Sequence, residues 1–314
     1  MRALVVSNMR PSAADPERGR FVRDQVDALR GLPSLDGVQI ELRELAQGVG
    51  GLARGSGALA RRFAGERFDV VHAHFGLTAW PALALRARVR ALTLHGTDLH
   101  HPRTRLLTRM ALPLMDIVGV ASEPLLEALP RGSARARAQV LPCGVDLGRF
   151  RPLPRGAARE RLGLAPERAF VLFASSPQRP EKRFARAQTL AAEVGVELRT
   201  LGGVDPALVP LWVNAANAVL VPSEREGFGL AVLEALACDV PVLATPVGVH
   251  ARALAGVDGA LCAPFELAVW AAALEPHVRA GDPRIAGRAH AERFSARLMA
   301  ERVAAAWRAA LQRR

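Results

Sequence analysis

The chain of 314 residues has no tyrosine and a single lysine, Lys182. Aromatic residues reach only 5 %, poor material for the platforms on which nucleic-acid bases stack. The three cysteines, Cys143, Cys238 and Cys262, fit no zinc spacing, and an odd number makes no disulfide framework. They read as small buried apolar side chains. No apolar run approaches the ~18 residues of a membrane span. The first apolar stretch, Ala3–Val6, is too short for a signal-peptide core and reads as a buried strand. The expected compartment is therefore the cytosol. There is no Walker-type lysine loop and no Gly-x-Gly-x-x-Gly after the first strand, which speaks against an ATPase or a dehydrogenase. An Asp-x-Asp pair that could hold a metal on a nucleotide is also missing.

What is abundant is arginine. Lysine and arginine together number 42 against 30 acidic residues, giving a formal charge of +12. Such a field favours anionic partners: nucleoside diphosphates, acidic membranes or nucleic acid. A nucleic-acid binder needs its charge clustered on one face. Here arginines are spread through both halves of the chain, and the tightest groups (Arg61 with Arg62; Arg86, Arg88 and Arg90; Arg131, Arg135 and Arg137) read as sitting on helices or their ends. Nucleic acid is therefore not an expected partner. Half of the residues are hydrophobic, enough for the two cores that this length suggests.

Short apolar runs alternate with longer amphipathic stretches along the chain. Strand-like runs fall at Ala3–Ser7, Val38–Leu42, Asp69–Ala73, Ala91–His95, Ile117–Ala121 and Gln139–Pro142. They resume at Ala169–Ser175, Val196–Gly202, Ala218–Pro222, Val240–Thr245 and Gly259–Cys262. Helix-like segments lie between, among them Arg20–Arg30, Ala79–Arg88, Phe184–Val194, Phe228–Ala237 and Phe265–Ala273. The alternation predicts parallel sheets with helices on both faces, and its recurrence predicts two doubly wound domains. Prolines and glycines crowd the stretch around Gly144–Ala165, which puts a domain boundary there. The expected division is 1–150, 151–294, and a C-terminal helix at 295–314 packing back toward the first domain. Ligands of such sheets bind beyond the carboxyl ends of the strands.

The densest signal follows the run Ala218–Pro222: Ser223-Glu224-Arg225-Glu226-Gly227-Phe228-Gly229-Leu230, then an apolar helix carrying Glu234. A helix amino terminus after a glycine-bearing turn suits a phosphate. The glycines allow close approach, and a carboxylate farther along suits ribose hydroxyls. Continued through Val240-Pro241-Val242 and Thr245-Pro246-Val247-Gly248, the pattern resembles the donor site of retaining glycosyltransferases of family 4. Their hallmark is two glutamates separated by seven residues, here Glu226 and Glu234. Asp69–His74, Leu94-His95-Gly96-Thr97-Asp98, Leu141–Asp146 and Gly19-Arg20-Phe21-Val22 with Gln25 are similar to further family segments.

That resemblance implies the GT-B fold: two Rossmann-like domains facing a cleft lined by Gly19, His95, Lys182 and Glu226. The first domain would serve the acceptor and the second a nucleotide-diphosphate sugar, used as co-substrate with no cofactor and no metal. It implies that Glu226 holds hydroxyls of the donor sugar and that His95 lies beside it. Gly227, Phe228 and Gly229 would meet the sugar or diphosphate, and Glu234 the ribose. Gly19 and Arg20 would approach the phosphates from the other domain. Lys182 would neutralise the leaving diphosphate. The family's Gly-Arg pair before this lysine is replaced by Ser176-Pro177, so Arg179 or Arg183 becomes a candidate substitute. His72 and His74 read as floor residues rather than catalysts. Glu226, His95 and Lys182 are thus the expected catalytic residues of a hexosyl- or related transferase acting with retention. A sugar-nucleotide epimerase or a phosphorylase of the same fold would share much of the motif. The acceptor stays open among glycans, lipid-linked sugars and small molecules. A lipid-linked acceptor would place the protein at the inner face of the membrane, with Arg54, Arg61, Arg62 and Arg67 on an anionic bilayer.

Overall fold

The computed structural model describes residues 1–12 and 17–314. They form two compact units, Met1–Gly144 with Ala296–Arg314, and Val145–Ser295. The chain pairs with itself where it passes between them: the Val145 N–H donates to the Phe294 carbonyl at 2.9 Å.

The first unit holds a parallel six-stranded sheet of β1 (Arg2–Ser7), β2 (Gln39–Glu44), β3 (Arg67–His74), β4 (Arg86–Leu94), β5 (Ile117–Val120) and β6 (Ala138–Val140) in the order β2-β1-β3-β4-β5-β6. The second holds β7 (Phe170–Phe173), β8 (Glu197–Thr200), β9 (Ala218–Val221), β10 (Val242–Ala244) and β11 (Leu261–Cys262) in the order β11-β10-β9-β7-β8. Covered on both faces, such strands read as unbroken apolar runs. Residues Ala3–Val6 and Ala218–Val221 are buried throughout. In each sheet the strand order reverses once, between β1 and β3 and between β7 and β9. These switch points open the crevices where doubly wound sheets take ligands.

The helices bury one stripe each. Arg20–Arg30 turns Val22, Gln25, Val26 and Leu29 inward at three- and four-residue spacing. The C-terminal helix Ala296–Gln312 sinks Trp307, Val303 and Ala304 into the same core of the first unit. One helix is shorter than expected. Over Ala79–Arg88 the alanines and arginines favour helix, yet the helix ends at Leu83 and β4 begins at Arg86. Register with β3, Arg67 beside Arg86 and Phe68 beside Ala87, overrides the local preference. The helix after β9 starts at Leu230 rather than Phe228, because Gly229 has φ 111°, which no helical turn accommodates. Among the described residues no helix is long and apolar enough to cross a membrane.

Candidate active site

In the second unit, the loops after β7 and β9 meet at the switch point. The Glu224 N–H donates to the Glu181 carbonyl at 2.9 Å and joins the two loops through their backbones. Beside this link, the Lys182 ammonium donates to both Glu226 oxygens, at 2.6 and 2.7 Å. The Ser223 hydroxyl donates to Glu226 Oε1 at 2.8 Å. Both charges of the pair are largely withdrawn from water, with side-chain exposures of 13 % and 9 %. Burial alone would raise the Glu226 carboxyl. The Lys182 ammonium, helped by the Ser223 hydroxyl, outweighs it and holds the group below its ordinary value.

The helix Leu230–Ala237 begins just beyond, and no side chain caps its amino end. Its first N–H groups are therefore available to an anion. Gly229 is required there for two reasons. Its φ of 111° lies in the left-handed region, and a Cβ would stand 2.4 Å from the ring of His250. The loop after β10 closes over the same turn. The Val249 N–H donates to the Phe228 carbonyl at 2.7 Å, and a Cβ on Gly248 would fall 2.3 Å from that oxygen. His250 is buried and its Nδ1 bonds the Thr245 carbonyl at 2.9 Å. A carbonyl only accepts, so the proton sits on Nδ1. Nε2 therefore carries a lone pair, without a partner among the described residues. Burial lowers the basicity of this ring, against the pull of Glu226.

The first unit carries histidines at the ends of β3 and β4. The Trp307 indole N–H, a donor only, gives its hydrogen to His72 Nδ1 at 3.1 Å. His72 must then be protonated at Nε2, which donates to the Thr93 hydroxyl at 2.8 Å. His74 stacks on His72, and its Nδ1 lies 3.0 Å from Nε2 of His95. The Gln25 amide nitrogen stands 3.5 Å from the other His74 nitrogen. With that amide donating, the His74 Nδ1–H donates to His95 Nε2, and the His95 proton is on Nδ1. Burial pushes both His72 and His95 down to about 3, so these rings are neutral at ordinary pH. Phe21 and Phe75 hold the half-buried His95 ring, each centroid 4.8 Å away. Phe75 takes φ 73°, a strained conformation for a side chain of this size. Asp98 staples the two loops, accepting from the Gly76 N–H at 2.8 Å and the His95 N–H at 2.7 Å. Burial raises its carboxyl to about 6 in spite of those donors.

Sequence profiles cover most of the chain: residues 10–149 match Glycosyltransferase Family 4, and residues 160–278 match Glycosyl transferases group 1. The D-inositol 3-phosphate glycosyltransferase of Actinosynnema mirum is 32 % identical, with 73 % of this chain and 69 % of that protein covered. The chain belongs to glycosyltransferase family 4. Its fold is the GT-B fold expected from the sequence. Sucrose-phosphate synthase from Thermosynechococcus elongatus is similar over 100 % of both chains, with a TM-score of 0.74 at 19 % identity. Anabaena HepE in complex with UDP is similar over 97 % of this chain and 98 % of that one, with a TM-score of 0.68 at 18 % identity.

Against the family motif, Glu226, Gly227, Phe228 and Gly229 form one turn with Lys182 against it. Glu234 is half-buried about one turn into the following helix. Arg179 and Arg183 do not join that pair: Arg179 bonds Glu181 at 2.8 and 2.9 Å, and Arg183 pairs with Glu224. Gly19, with φ 72°, opens the helix Arg20–Arg30, and a Cβ there would meet the Met9 carbonyl at 2.4 Å. The Arg20 guanidinium is held by Asp24 at 2.8 Å. Ser223 and His250 were not among the expected site residues. Their only trace in the sequence is proximity to the motif, before Glu226 and after Gly248. Among the described residues no group of three histidine, cysteine or acidic side chains is arranged to hold a metal ion.

Proposed function

We propose that this glycosyltransferase moves a sugar from a nucleoside-diphosphate sugar to an acceptor hydroxyl, with retention of anomeric configuration and without a metal ion. UDP is the first nucleotide to test, since HepE, of the same fold, is known in complex with it. D-Inositol 3-phosphate is the first acceptor, from the name of the Actinosynnema relative. The observation that carries the reading is the Lys182–Glu226 pair beside an uncapped helix terminus. The chain's single lysine lies against the first glutamate of the family motif.

Lys182 and Glu226 satisfy each other's charge. A bound donor offers each a better partner: diphosphate oxygens for Lys182, sugar hydroxyls for Glu226. As the bond from the anomeric carbon to the phosphate oxygen breaks, negative charge grows on the diphosphate. Lys182 and the N–H groups at the start of Leu230–Ala237 stabilise it in this reading. The acceptor oxygen bonds to the same face of the anomeric carbon, and its proton passes to the departing phosphate oxygen. By the family resemblance His95 serves the sugar, and as a neutral ring it brings hydrogen-bonding groups rather than a second positive charge.

Kinetics of two variants test the assignment. Glu226 meets the sugar, whose charge changes most, whereas Glu234 meets ribose, a spectator. Losing a hydrogen bond to a charged group removes roughly 1.5–3 kcal/mol, about 10- to 150-fold in rate or affinity. Glu226→Ala lowers kcat by about that factor, and Glu234→Ala chiefly raises the donor KM. Wild-type constants in both variants would show that the motif does not form the donor site.

A further inference from the structure

The helix Pro102–Ala111, with the turn that follows it, has its polarity reversed. Its inward stripe includes Thr104 and Thr108, the latter fully buried, with Ala111 and Leu112. Its outward face carries Leu106, Leu107, Met110 and Leu114, exposed by 64, 42, 55 and 53 %. The remaining exposed large hydrophobic residues, such as Met1, Leu208, Val269 and Leu298, are scattered, as on any soluble surface. The reversal is fixed by close packing. Thr108 donates to the Thr104 carbonyl at 2.8 Å and lies so near Gly76 that a Cβ there would stand 1.8 Å from its hydroxyl oxygen. A rotation that hid the leucines would drive this contact apart.

We propose that this face docks on the surface of an anionic lipid bilayer. Arg105 and Arg109 are exposed along one flank of the apolar face, and no acidic residue occurs from Pro102 to Leu114. An apolar face rimmed by arginine suits a helix lying in the headgroup region. A second copy of the chain suits it less well. A twofold pairing of this patch would bring the arginines of both copies together, with no acid on the patch to meet them. The helix Gly48–Arg62, whose arginines were expected to meet a membrane, exposes Arg54, Arg61 and Arg62 but, among its described side chains, no large hydrophobic one. It has the charge without the anchor. The docking helix follows directly on the loop of His95 and Asp98, so docking fixes that end of the unit at the bilayer. The inference rests on this surface alone and does not depend on the donor-site reading.

Co-sedimentation of the full chain with vesicles tests it, using phosphatidylcholine alone and phosphatidylcholine mixed with phosphatidylglycerol. The wild type sediments with the mixed vesicles, less so at high salt, and stays in solution with the neutral ones. Replacing Arg105 and Arg109 with Gln lowers partitioning about fivefold per arginine. The paired change Leu106→Ser and Met110→Ser lowers it about tenfold or more. Binding indifferent to anionic lipid, or unchanged in both variants, overturns the proposal. So does a concentration-dependent dimer in sedimentation velocity that the serine pair abolishes, because a second copy would then own the face. The wild-type comparison needs no variant, so a poorly folded variant cannot rescue a negative result.

Discussion

At the scale of single residues, Lys182 and Glu226 carry the account. Two opposite charges withdrawn from water offset each other's desolvation, and removing one strands the other. Lys182→Met or Glu226→Gln should each cost about 3 kcal/mol of stability, and the double variant less than their sum by about 2 kcal/mol. Chemical denaturation of the four proteins measures this. Additive losses would mean that the contact seen here contributes nothing. Glu226 and Lys182 were legible because each is distinctive along the chain, one by its place in a dense motif and the other by being the only lysine. Ser223 and His250 were not. A serine or a histidine acquires meaning only through what it faces, and His250 faces Gly229 across separate loops. Arg179 and Arg183 show the converse: the missing Gly-Arg of the family motif made them candidates for a diphosphate contact, while neighbouring glutamates take them up.

At the scale of elements, the strand ends decide what the histidines do. β3 and β4 run side by side, and the C-terminal helix brings Trp307 against His72. Burial depresses all three rings, to about 3 for His72 and His95 and well below the ordinary 6.5 for His74. A depressed folded-state pKa gives stability that is complete above 6.5 and is lost as pH falls toward the folded value, because only the unfolded chain binds protons in between. Asp98 works the other way. Its carboxyl is raised from 3.8 to about 6, so its contribution is complete below 3.8 and is lost as pH rises through 6. Three groups against one leave a net fall in stability on acidification below pH 6.5. His72→Asn, whose amide oxygen can still accept from Trp307, should flatten the slope by about one proton, roughly 1.4 kcal/mol per pH unit. Unfolding free energies measured across that range check it, and an unchanged slope would refute it. The strands themselves were visible as apolar runs because parallel sheets bury both faces. The end of the helix at Leu83 was not, since pairing with β3 rather than local composition starts β4 at Arg86.

At the scale of the whole molecule, each unit is a doubly wound sheet whose candidate site residues gather near its one switch point. In the first unit these are Gly19 after β1 and the histidines at the ends of β3 and β4. In the second they are Lys182 after β7 and Glu226 after β9. Topology thus selects the places, and the loops supply the chemistry. The proposed donor site pairs a cationic side chain and a helix terminus, which suit a leaving diphosphate, with a carboxylate that suits a sugar. The proposed reaction is same-face transfer from a nucleoside-diphosphate sugar. The measurement that tests it most directly is proton NMR of the product formed from UDP-α-glucose and D-inositol 3-phosphate, with other nucleotide sugars and acceptors tried in parallel. An α-linked product appearing together with released nucleoside diphosphate, and slowed in Glu226→Gln, is the result predicted. A β-linked product, or turnover untouched by that substitution, would contradict it.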